Sequence, residues 1–85
     1  MDYYVYVLRS LKNNDYYIGY ASDVTKRLEQ HNKGLVKSTK YKSPFVIIYK
    51  EAFKSGTEAR KREALLKKKK SRKYIDWLIS KQVGV

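Results

Sequence analysis

The stretch "YYVYVLRSLKNNDYYIGYA", residues 3 to 21, decides how the rest of this chain is read. Residues 3 to 9 and 16 to 21 are rich in Tyr, Val, Ile and Leu, the types that fit a half-buried pleated surface. Between them, Asn13, Asn14 and Asp15 supply the side chains that favour a reversal of the chain. The stretch therefore predicts a β-hairpin. It is also crowded with tyrosine, and a phenol on a strand serves either packing or chemistry. The remaining sequence has to separate the two.

Downstream, "SDVTKRLEQHNKG" predicts a helix that Ser22 or Asp23 can cap and that Gly34 can end in the left-handed conformation. After the polar loop "LVKSTKYKSP" comes "FVIIYKEAF", a third strand whose apolar run predicts a central, well-buried position. "SGTEARKREALLKKKKSRKYIDWLISK" is helical in composition, with Ser55 and Glu58 as a capping box. Ser71 restarts a shorter helix with Tyr74, Ile75, Leu78 and Ile79 on one side. The order is ββαβαα, a small sheet covered by helices. The expected class is α+β, in a single domain over residues 1–85.

The chain has 85 residues, no cysteine and one histidine, His31. That excludes disulfides, thiolate metal sites, a cysteine nucleophile and any site needing two imidazoles. A metal would rest on carboxylate and water, which favours a hard ion such as Mg2+ or Mn2+. No apolar run approaches the roughly 18 residues that cross a bilayer. "MDYYVYVL" lacks the basic start of a signal peptide. The expectation is a soluble, cytoplasmic protein with no membrane partner.

Charge is the strongest compositional signal. Twenty Lys and Arg oppose eight Asp and Glu, a net +12. Residues 54 to 73 hold ten basic residues, Lys67, Lys68, Lys69 and Lys70 among them, and two acidic ones. Such a cluster is the electrostatic footprint of a polyanion, and nucleic acid is favoured over a solvated surface.

Helical phase then brings polar residues to inner faces. With Val24 and Leu28 pointing inward, His31 lies ~40° and Arg27 ~80° from that direction, on one side. On the later helix Ala59 and Leu66 mark the apolar stripe, and Glu63 lies ~50° from it. A carboxylate there is costly to bury unless a cation meets it.

This ordered set resembles the GIY-YIG nuclease family. The first tripeptide of the family name is matched by Tyr4-Val5-Tyr6 and the second by Tyr17-Ile18-Gly19. Arg27 and His31 in "KRLEQH" match the helix arginine and the residue four positions on; Glu63 matches the metal-binding glutamate. Tyr4 stands where the name has glycine, and Val5 where it has isoleucine. The resemblance covers roughly residues 3 to 79 and is greatest to small stand-alone members, related to the nuclease domain of the repair endonuclease that cuts 3′ to a lesion.

The resemblance implies a three-stranded antiparallel sheet flanked by helices. It also implies a metal-dependent DNA endonuclease with one Mg2+ or Mn2+ ion on Glu63 and no small-molecule cofactor. Its substrate is DNA, structure-selective or non-specific in cutting and tied to repair or recombination; RNA is a second candidate polyanion. Tyr6 is then the general base, with positive surroundings expected to lower its pKa from ~10. Arg27 contacts phosphate, Tyr17 hydrogen-bonds in the site, and His31 orients or deprotonates a tyrosine or water. Gly19 lets backbone or DNA approach closely, and Lys26, Arg60 and Lys67 to Lys70 contact the backbone of the nucleic acid. The main rival is a non-catalytic nucleic-acid-binding module on the same fold; a basic RNA-associated protein ranks behind it.

Overall fold

The computed structural model describes residues 2–69 and 71–83. Among these residues the chain runs β1 (Tyr3–Ser10), β2 (Tyr16–Ala21), α1 (Val24–Asn32), a 3-10 turn (Lys40–Lys42), β3 (Phe45–Phe53), α2 (Gly56–Lys69) and α3 (Arg72–Val83). The three strands form one antiparallel sheet in the order β2-β1-β3. The hairpin turn uses Asn14 at a φ of 64°, a left-handed value that asparagine tolerates better than most residues. Asp23 caps α1 by accepting the Lys26 amide at 3.0 Å, and Gly34 follows the helix at a φ of 74°. Ser55 and Ser71 accept the amides of Glu58 and Tyr74, which starts α2 and α3 where their side chains predict.

One expectation fails. The central strand is β1, not β3. Val5, Tyr6, Val7 and Leu8 are all at most 1% exposed because helices cover both faces of β1. Strand β3 lies at the edge, and its Ile47 is partly in solvent. The apolar run of β3 has another cause. Val7 pairs with Tyr49 but Leu8 with Ile47, a bulge that inserts one extra residue on β3. The extra residue reverses the alternation, so Phe45 packs with Tyr6 and Leu8 while Tyr49 packs with Val5 and Val7.

The sheet thus separates two cores. On one face Val5, Val7 and Tyr49 meet Ala59 and Leu66 of α2 and Ile75 and Leu78 of α3. On the other, Tyr6, Leu8 and Phe45 meet Val24, with Leu28 packed beside them. Each aliphatic side chain so buried contributes about 1.5–3 kcal/mol. Tyr6 belongs to the second core, which is the one that α1 covers.

Candidate active site

The hairpin register settles which way the tyrosines point. Tyr6 pairs with Gly19 and Leu8 with Tyr17. Directly opposed residues share a face, so Tyr6 and Tyr17 both stand on the α1 side of the sheet. Tyr16 and Ile18 fall on the other side, packed against the α2–α3 core. Hence only one of the two tyrosines that begin β2 can reach Tyr6.

Gly19 has a task other than the expected one. A Cβ on it would lie 2.5 Å from the Tyr6 hydroxyl oxygen, so the phenol lies directly over this glycine. The residue is itself buried. It is a slot for Tyr6, and not an open approach for DNA.

Helix α1 brings His31 against both phenols. The imidazole is completely buried. Its Nε2 is 3.5 Å from the Tyr6 hydroxyl oxygen, and its ring centroid is 4.8 Å from that of Tyr17. Its Nδ1 lies 2.7 Å from Thr39 Oγ1. One turn earlier, Arg27 is half-buried and donates to Gln30 Oε1 at 2.8 Å.

Glu63 arrives from the opposite layer. Helix α2 packs against β1 and β2, and the Glu63 side chain is only 18% exposed. Lys67 joins the two layers: its Nζ is 3.5 Å from the Glu63 carboxylate and 5.9 Å from the Tyr17 ring centroid. The Glu63 charge is also felt at the Tyr6 hydroxyl. Tyr6, Tyr17 and His31 therefore gather on the α1 side of the sheet with Arg27 one turn before His31, and Glu63 stands in the opposite layer, linked towards Tyr17 through Lys67.

The electrostatics reverse one expectation. Burial pushes the Tyr6 hydroxyl above the ordinary phenol value. Arg27 opposes that shift, while Tyr17 and Glu63 reinforce it. The basic surface does not lower it, because removing a phenolate from water costs more than one guanidinium returns. His31 moves the other way: burial first, then Arg27, hold it below the usual histidine value. The imidazole is therefore neutral at pH 7 and able to accept a proton.

Among the described residues no cluster of three or more His, Cys, Asp and Glu exists that could hold a metal ion. Glu63 offers the one carboxylate in this group of five. As a hard oxygen donor it suits Mg2+ or Mn2+, with the remaining ligands coming from water and phosphate.

The expected nucleic-acid contacts divide by helical phase. Lys67 and Arg60 turn ~40° and ~60° from Glu63, so they share its side. Lys68 and Lys69 turn ~140° and ~120° away, and Lys69 stands over the Tyr74 ring at 4.6 Å. Lys26 is exposed on α1 next to Arg27. Lys70 lies outside the described residues.

Residues 2–75 match the GIY-YIG catalytic domain. This chain belongs to the GIY-YIG family. A UPF0213 protein of Streptococcus pneumoniae serotype 4 is 41% identical over 80 residues, spanning 93% of this chain and 80% of the relative. A UPF0213 protein of Listeria welshimeri is 38% identical over 82 residues, spanning 95% and 90%. The solution NMR structure of a UPF0213 protein from Bacillus halodurans superposes with a TM-score of 0.56 at 36% identity, covering 94% of this chain and 84% of that one. The chain is thus a small GIY-YIG protein of a nuclease family, with the ββαβαα fold of its solved relative. No helix among the described residues is long and apolar enough to cross a membrane.

Two features of this GIY-YIG site escape sequence reasoning. Thr39 is one; it lies in a polar loop where no periodicity marks a residue as turned inward. The other is a groove of about 470 Å³ that starts beside Tyr17 and Lys67 and reaches Ser71 and Arg72. Arg72 stands out in the sequence only as one more charge in a basic run.

Proposed function

We propose that this chain is a metal-dependent DNA endonuclease that hydrolyses phosphodiester bonds, structure-selective or non-specific in its cutting and serving repair or recombination in the cytoplasm. The gathering of Tyr6, Tyr17, Arg27 and His31 on the α1 side of the sheet, with Glu63 linked towards Tyr17 through Lys67, carries this reading. Phosphodiester hydrolysis needs an activated water, neutralised phosphate charge and a stabilised leaving oxygen. Glu63 would hold one Mg2+ or Mn2+ ion. Such an ion would neutralise charge that builds on the phosphate and on the leaving oxygen.

The chain's own residues do the proton work. The raised Tyr6 hydroxyl and the lowered His31 leave the proton on Tyr6 in the resting protein. The geometry suits a relay in which Tyr6 never stands as a free phenolate. As the attacking water gives its proton to the Tyr6 oxygen, the Tyr6 proton passes to His31 Nε2, 3.5 Å away. That distance is long for a hydrogen bond, and catalytic contacts of this kind tighten when substrate binds. The product of the relay is a hydroxide aimed at phosphorus and an imidazolium. Arg27 presents a planar cation to the phosphate oxygens that gain charge. Tyr17 orients the Tyr6–His31 pair from the side. Lys67, 3.5 Å from the Glu63 carboxylate, would offer a further cation to the phosphate.

A binding module without scission is the second reading. Its support is the Lys67–Glu63 pair, which occupies the carboxylate, together with the raised Tyr6 hydroxyl. A panel of labelled duplex, flap, branched, nicked and single-stranded DNA, with RNA beside it, decides between the two. The panel is incubated with Mg2+, Mn2+ or chelator. Scission that needs metal and is lost in Glu63→Gln supports the nuclease. Tight, metal-independent binding with every strand intact supports the module.

A further inference from the structure

We propose that Thr39 is the positioning residue that fixes the His31 tautomer, holding the proton on Nδ1 and leaving Nε2 bare towards the Tyr6 hydroxyl. This rests on the reading of Tyr6 and His31 as a proton-relay pair.

The Val36 carbonyl, Thr39, His31 and Tyr6 form a chain of contacts whose direction is set from the Val36 end. At one end stands the Val36 carbonyl, which only accepts, 3.4 Å from Thr39 Oγ1. The Thr39 hydroxyl proton points there, so Oγ1 is left to accept. Its other neighbour is His31 Nδ1 at 2.7 Å, which must then donate. At the far end the Tyr6 hydroxyl stands 3.5 Å from His31 Nε2, and a phenol can donate there. His31 Nε2 is the acceptor that the Tyr6 proton faces. A neutral imidazole carries one proton, so Nδ1–H and a bare Nε2 satisfy both ends together. The reverse order would turn the Thr39 hydroxyl from the Val36 carbonyl to Nδ1 and make the Tyr6 oxygen the acceptor, so that its proton loses the His31 nitrogen as a partner.

Burial makes the choice matter. His31 and Thr39 are at most 2% exposed, so bulk water cannot replace a lost partner. The backbone holds Thr39 in place as well: its amide donates to the Val36 carbonyl at 3.1 Å, and its carbonyl accepts from the Lys42 amide at 2.9 Å. Thr39 touches neither phosphate nor water in this arrangement. It acts through the imidazole.

The chain contains a single histidine, so one imidazole gives the whole ring signal in a long-range 1H–15N spectrum of labelled protein. The wild-type spectrum at neutral pH should show a protonated Nδ1 and an unprotonated Nε2. Thr39→Val keeps shape and removes the hydroxyl, and should move the ring towards the Nε2–H form. Single-turnover cleavage by that variant should fall at least about tenfold, a part of what an acid–base group contributes in full. Thr39→Ser should restore both tautomer and rate, which a purely structural role for the methyl group would not do. A wild-type ring protonated on Nε2 would overturn the assignment without any variant, even if Thr39→Val does not fold. An unchanged tautomer in folded Thr39→Val would overturn it equally. A tautomer that shifts as expected in a protein that cuts no DNA would uphold Thr39 and sink the nuclease reading instead.

Discussion

Gly19 and Tyr6 are two halves of one arrangement. The phenol reaches the β2 edge only because the opposing residue has no side chain. Gly19→Ala would put a methyl 2.5 Å from the hydroxyl oxygen and 2.6 Å from the ring carbon that carries it. The backbone there has no special conformation, so the strand accepts alanine and the ring must move. The expected cost in stability is about 1–3 kcal/mol, as for other overpacked sites. The expected loss of cleavage is as large as in Tyr6→Phe, at least roughly 100-fold. Both variants should still bind DNA. Single-turnover rates with thermal melts in parallel make the comparison, and a fast Gly19→Ala enzyme would show that the Tyr6 hydroxyl need not sit where it does.

Between elements, legibility followed periodicity. Helical phase placed His31 and Arg27 on the inner side of α1 and Glu63 beside the α2 stripe, where the structure has them. Caps at Asp23, Ser55 and Ser71 were readable because each is a short-range contact. The central strand was not readable. β1 alternates tyrosine with valine and looks half-polar, whereas its Tyr6 is buried and Tyr3 and Tyr4 are partly covered. In β3 the bulge sends Phe45 and Tyr49, which a regular strand would keep on one face, to opposite faces, and the sequence between them is one continuous apolar run. Thr39 escaped because a loop has no period, and the Tyr6 shift because desolvation depends on what covers a group. The phase of α2 also yields a prediction. Lys68 and Lys69 face away from Glu63, so replacing both by glutamine should flatten the salt dependence of DNA affinity, at about −0.9 in log–log slope per phosphate released. The cleavage rate at saturating DNA should hold. Lys67→Gln should instead change the rate. An unaltered slope in the double variant would mark that side of the helix as solvated surface.

At the scale of the whole molecule, a tyrosine away from the candidate site makes stability depend on pH. On the α2–α3 face, Tyr49 donates to Glu51, which Arg62 also holds at 2.9 and 3.3 Å. Burial, and then Glu51, push the Tyr49 hydroxyl up to about 12. A phenol raised above its unfolded value of ~10 stabilises the fold fully below that pH. The contribution is lost as pH rises from there through about 12. Urea unfolding between pH 8 and 12 should show this fall, and Tyr49→Phe should flatten it at a cost of about 1 kcal/mol at pH 8. Lysines titrate in the same range, so the difference between wild type and variant is the quantity that counts. Equal pH profiles would remove Tyr49 from the account.

The central place of β1 sets how this protein wears out. A strand bonded to neighbours on both sides, with helices over both faces, opens only when everything opens. Its Tyr6 hydroxyl therefore has no private way to fail. Heat should melt β1 together with the whole sheet, so any earlier loss of cleavage would trace to the loop that carries Thr39 and not to Tyr6. Amide protons of Val5 to Leu8 should be the slowest to exchange with deuterium, and their lifetime bounds the shelf life of the site.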